Sequence, residues 1–97
     1  MIILNAVLIR TCRALTPLSP TNVEIADYTE HDGSKPEILV RVVTDSFENI
    51  RKKNREKIAK ETLLKNDPAI YDTFSVTCEC FTEREYRLFA LKNRWQH

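Results

Sequence analysis

The sequence predicts an α+β domain, in which helices pack against a three-stranded mixed sheet. Three observations carry this. Asn22 to Ala26, Glu37 to Thr44 and Thr73 to Phe81 show the alternation or the β-branched richness of strands. Ser46 to Lys65 is a stretch of strong helix formers without proline or glycine, and it stands between the second and third strands. An apolar periodicity of helical type precedes the first strand, giving the order helix, strand, strand, helix or helix pair, strand, helix. The 97 residues suit one domain spanning 1–97 with one core.

In the opening segment Leu4, Val7, Leu8, Cys12 and Leu15 follow the i, i+3, i+4 spacing of one helix face. Arg10 and Arg13 with no acid before Glu24 would also suit a transit segment, but this periodicity places the segment in the fold. The apolar run is interrupted by Asn5 and is far shorter than the ~20 residues that span a bilayer. Thr16-Pro17-Leu18-Ser19-Pro20 ends the helix, because each proline lacks an N–H and drives its predecessor out of the α region.

In the first strand Val23 and Ile25 face one way and Glu24 the other. Asp27 to Pro36 contains the single glycine, Gly33, amid turn-forming residues and reads as an exposed loop. Ile38, Leu39, Val40, Val42 and Val43, broken only by Arg41, read as the covered central strand. Ile50, Ile58 and Leu64 are the sparse apolar positions of the helical stretch, which is one helix or two joined near Asn54. It stops at Asn66-Asp67-Pro68. In the third strand Phe74, Val76, Cys78 and Cys80 share a face. Thr82-Glu83-Arg84-Glu85 then spells a capping box, opening a last helix with Tyr86, Phe89 and Trp95 on its inner side. The short loop makes the first two strands antiparallel, and the helical crossover permits parallel pairing of the second and third.

Composition bounds the function. A net charge of +1 gives no global attraction to nucleic acid or membranes. Cys12, Cys78 and Cys80, an odd and scattered set, point away from a disulfide framework and towards a reducing compartment. Ser46, Asp45 and His31 are the residue types of a hydrolytic triad. No glycine-flanked nucleophile turn or phosphate loop accompanies them, so a non-enzymatic protein is expected.

Taken in order, Leu18 to Asp27, Ile38 to Ala59 and Phe74 to Tyr86 resemble the BolA family, whose domain is similar to the type II KH module. The most specific part is Val43-Thr44-Asp45-Ser46-Phe47-Glu48-Asn49, which looks like the family's valine-serine-aspartate-x-phenylalanine-x-glycine passage, with Asn49 at the glycine. Asn replaces glycine most readily at positive φ. Arg55-Glu56-Lys57-Ile58 stands where the family has Arg-His-Arg before an aliphatic residue, and Thr82-Glu83-Arg84-Glu85-Tyr86 where it has threonine-proline-glutamate-glutamate-tryptophan.

The resemblance implies a partner and a cofactor. BolA-like proteins pair with monothiol glutaredoxins and help to hold a shared [2Fe-2S] cluster, through a histidine at the start of the third strand and a His or Cys in the first strand loop. Here the first position is Phe74, which has no lone pair for iron. His31 matches the region of the second ligand, and Cys78 is the other candidate, since with Cys80 it lies on one strand face. The bland reading of these residues is a solvated histidine and core cysteines. The expected function is therefore an adaptor in iron–sulfur trafficking or redox regulation, monomeric alone, away from membranes, in the cytosol or the mitochondrial matrix. The alternative is a nucleic-acid-binding regulator. Ser46 to Lys65 sets seven basic against three acidic side chains, and Arg51, Lys52, Lys53, Arg55 and Lys57 are the candidate phosphate or partner contacts, with Arg55, Lys57 and the Phe47 turn either partner-facing or fold-fixing. Glu56 is expected to pair with Lys52 or Lys60 at i, i+4 spacing. The glycine-x-x-glycine loop of KH modules is missing.

Overall fold

The computed structural model describes residues 2–95 of the backbone and the side chains of residues 5–93. Leu4 and Trp95, both expected on inner helix faces, lie outside the described side chains, as does His97. The elements are α1 (Ile2–Ala14), β1 (Asn22–Thr29), β2 (Glu37–Val43), α2 (Lys52–Asn66), α3 (Ile70–Thr73), β3 (Ser75–Phe81) and α4 (Glu83–Trp95). The sheet order is β1-β2-β3, with β1 antiparallel and β3 parallel to β2. This is the mixed sheet the connection lengths predict.

One face of the sheet makes the core. Ile38, Val40 and Val42 of β2 and Val76, Cys78 and Cys80 of β3 are buried with Val7, Ala14 and Leu15 at α1, Ala59 and Leu63 of α2, and Ile70 of α3. The helical stretch contributes less obvious residues than its sequence suggests. Leu64 is exposed while Ala59 and Leu63 turn inward, because the buried stripe of the helix runs through Arg55, Ala59 and Leu63 at i, i+4 spacing. The break in Ser46 to Lys65 is also earlier than Asn54. A 3-10 turn at Asp45–Phe47 is followed by Asn49 at φ +65°, so the chain re-aims before α2 begins.

Three further differences from the sequence reading have local causes. On α1 the buried polar residue is Thr11, whose hydroxyl donates to the Leu8 carbonyl at 2.9 Å, while Cys12 is exposed. The inner face is therefore rotated from the expected stripe. β1 runs on to Thr29 because a register shift between Ile25 and Asp27 lets Tyr28 return to the core face, opposite Ile38. A helical turn, α3, precedes β3, so Thr73 is helical and β3 begins at Ser75.

The second face of the sheet carries a polar ladder. Glu24, Arg41 and Glu79 are cross-strand partners, and Arg41 donates from Nη1 to Glu24 at 2.8 Å and from Nε to Glu79 at 2.7 Å. The Phe89 ring of α4 lies 4.6 Å from that guanidinium, and Tyr86 donates to Glu24 at 3.2 Å. Burial disfavours the charged guanidinium, yet the hydrogen bonds to the two carboxylates raise the Arg41 pKa on balance. Phe81, Tyr86 and Phe89 cluster beside the ladder with ring centroids 5.1 to 6.3 Å apart. Tyr86 and Phe89, expected on the inner side of α4, thus pack on the face opposite α1 and α2. Among the described residues no helix is long and apolar enough to cross a membrane.

Candidate functional site

The passage after β2 is built around a hinge. The Thr44 hydroxyl accepts from the Ser46 N–H at 3.1 Å and donates to the Leu18 carbonyl at 2.7 Å, which fixes the entry to the 3-10 turn. That turn drives Phe47 into the core, where it is 1% exposed. Asn49 then takes the left-handed conformation at the position where the resemblance has glycine. The backbone geometry expected there is present, and asparagine supplies it.

Arg55 secures the far side of this hinge. Its Nε donates to the Ile50 carbonyl at 2.6 Å, and its two terminal nitrogens reach the Glu85 carboxylate at 2.5 and 3.3 Å. Glu85 is also the acid of the capping box, accepting from the Thr82 N–H at 2.9 Å while the Thr82 hydroxyl accepts from the Glu85 N–H at 3.3 Å. Hydrogen bonding by Arg55, more than any other influence, holds the Glu85 carboxyl down to about 2. Arg55 is 6% exposed, so it is removed from the phosphate- or partner-contacting set: its donors are occupied inside the protein.

The other basic residues of α2 divide between two places. Arg51 and Lys52 stand at the start of the helix, with the Lys52 ammonium 5.4 Å from the Phe81 ring centre. Lys53, Lys57 and Lys60 follow at spacings that put them on one side of α2, where with Glu56 they line a groove of about 310 Å³ against Val76, Thr77 and Cys78 of β3. Among the described residues Glu56 makes no ion pair, contrary to the i, i+4 pairing expected with Lys52 or Lys60. The sequence candidates Lys53 and Lys57 are joined in this groove by Lys60 and by the β3 edge. Lys60 was legible in the spacing 53, 57, 60; the edge was not, because strand order is a property of the sheet.

The cluster ligands implied by the resemblance do not fit together. Phe74 is 5% exposed and packs edge-on to Tyr28 with ring centroids 6.5 Å apart, which makes the expected ligand position a core position. Cys78 is likewise buried, and burial pushes its thiol up to about 11 and that of Cys80 to about 12, far from the thiolate that iron requires. His31 is exposed and its Nε2 lies 3.1 Å from Glu37. Among the described residues no three His, Cys, Asp or Glu side chains gather as metal ligands. Of Phe74, Cys78 and His31, only His31 presents an accessible side-chain donor atom among the described residues.

The triad residues are also apart. Ser46 donates to the Leu18 carbonyl at 3.0 Å and Asp45 accepts from the Glu83 N–H at 3.2 Å, both beyond the C-terminal end of β2. His31 precedes that strand and pairs with Glu37, its first residue. The length of β2 separates base from nucleophile. Comparison with family models, with curated proteins and with solved structures finds no match for the chain.

Proposed function

We propose that this chain is a non-enzymatic adaptor of BolA-like type that docks a monothiol glutaredoxin through the α2 and β3 side of the domain, with the cluster site of such proteins altered. The observation that supports it most is the passage from Thr44 to Arg55. Phe47 is buried, Asn49 holds φ +65° where the family has glycine, and Arg55 is committed to holding the hinge. Each is a residue that the resemblance singles out, and each has a physical reason to be there. Among the exposed basic side chains of this stretch, Lys53, Lys57 and Lys60 stand together along one groove, where they can meet a partner. Iron–sulfur trafficking or redox regulation, in the cytosol or mitochondrial matrix, is the setting in which such an adaptor acts.

Mixing the protein anaerobically with cluster-loaded monothiol glutaredoxin, followed by size-exclusion chromatography and visible circular dichroism, tests the proposal. A one-to-one complex is expected. A spectrum that is unchanged on complex formation would mean that docking persists without a ligand from this chain, whereas a changed spectrum that reverts in His31→Ala would assign that histidine to the cluster. Failure to form any complex at low ionic strength overturns the adaptor reading.

A further inference from the structure

The sheet ends at β3, and the free edge of that strand opens into the lysine-lined groove. The ladder defines which backbone groups face outward. The Ser75 N–H donates to the Pro36 carbonyl at 2.9 Å and the Phe81 carbonyl accepts from the Thr44 N–H at 3.0 Å, so Ser75, Thr77, Glu79 and Phe81 turn their peptide groups towards β2. Val76 and Cys78 turn theirs away. Their side chains are buried in the core, but their N–H and C=O groups point to the groove and have no partner among the described residues. An open edge of this kind is a template for another strand unless something blunts it.

The surroundings of the edge specify what would pair there. Lys53, Lys57 and Lys60 stand along it, and the last two also rim an adjoining hollow of about 390 Å³ formed with Glu61, Leu64 and Tyr71. Leu64 is 53% exposed, an apolar side chain at the end of a basic row. From this we infer that the edge of β3 takes up an extended acidic peptide segment of a partner protein, which adds a fourth strand, sets carboxylates against Lys53, Lys57 and Lys60, and seats an apolar side chain against Leu64 and Tyr71.

A peptide fits this surface better than a nucleic-acid strand for two reasons. The edge offers both donors and acceptors, which a peptide backbone matches along its whole length, whereas a nucleic-acid strand carries donors on its bases and its phosphodiester offers acceptors alone. Glu56 lies among the lysines without a counter-ion among the described residues. A peptide strand can set a neutral or basic side chain beside it, whereas a phosphate chain carries negative charge at every step. The segment need not belong to a glutaredoxin.

The test titrates the full isotope-labelled chain with a synthetic peptide of about seven residues, the length of a strand, alternating glutamate with valine and ending in leucine. Amide shifts and hydrogen exchange are read residue by residue. The expected result is saturable binding that weakens with salt, with the Val76 and Cys78 amides gaining protection and Lys57→Glu weakening the affinity by about tenfold or more. The same peptide N-methylated at alternate residues keeps its charge but cannot pair with the edge, and it should lose most of its affinity. Equal binding of the N-methylated peptide, preferential binding of a single-stranded oligonucleotide of equal charge, or shifts confined to residues outside α2 and β3 would each overturn the inference, as would no binding.

Discussion

Two parts of the segment from Thr44 to Asn66 use the same residue chemistry in opposite ways. At the hinge, Arg55 is 6% exposed and all three of its donor nitrogens are engaged, two with Glu85 and one with the Ile50 carbonyl. Along the groove, Lys53, Lys57 and Lys60 stand in solvent beside an unpaired strand edge. The difference lies in the side chains themselves. A planar guanidinium can satisfy a carbonyl and a carboxylate at once when buried, while an ammonium on a flexible stem is cheapest left in water. A count of positive charges along α2 therefore overstates its binding surface.

Perturbing the hinge should unfold the protein before it affects binding. Phe47→Ala should cost about 4 kcal/mol, as expected for removing a fully buried ring, measured by urea denaturation. Arg55→Ala should cost about 3 kcal/mol, near the lower end for breaking a buried pair, because Glu85 retains access to water. If Arg55→Ala instead left stability intact and weakened partner binding, the division between hinge and groove would be wrong.

Acid should act at the same place. The folded protein holds Glu85 at about 2, below its ordinary value of 4.5, so the unfolded chain binds more protons in that interval. The Glu85 contribution is present above pH 4.5 and is lost as pH falls towards 2. Chemical denaturation across that range should show the loss in the wild type and a flatter profile in Glu85→Gln. Asn49→Ala should cost about 1 kcal/mol, since alanine at φ +65° bears the full left-handed penalty. The smallest effect belongs to the groove: Lys57→Ala should change stability by less than about 0.5 kcal/mol while still weakening partner binding.

Much of the fold was legible because its signals are local. The alternation of Phe74, Val76, Cys78 and Cys80 and the capping box at Thr82 and Glu85 are written in adjacent residues, and the short loop dictates an antiparallel first pair. What was not legible depends on phase or on distance. The inner face of α1 differs from the expected stripe by the burial of Thr11 in place of Cys12, a polar residue made acceptable by its bond to Leu8. The Glu24–Arg41–Glu79 ladder needs three strands in register, although a lone arginine in the apolar run of β2 was its visible trace. The candidate site was less legible than the fold. His31 is exposed and Cys78 buried, a contrast that residue type alone does not reveal; Arg55, which the sequence leaves open to a partner-facing or a fold-fixing role, takes the fold-fixing one; and the edge of β3 emerges only from strand order.

The central claim is that the hinge builds the domain and the open side of α2 with β3 binds. Amide-resolved NMR of the labelled chain mixed with unlabelled apo monothiol glutaredoxin tests it most directly. The account predicts a one-to-one complex whose shifts cluster at Lys53, Lys57, Lys60 and Val76 to Cys78, with the signals of Phe47 and Arg55 little changed. A complex mapped to the loop around His31, or no complex at all, would contradict it.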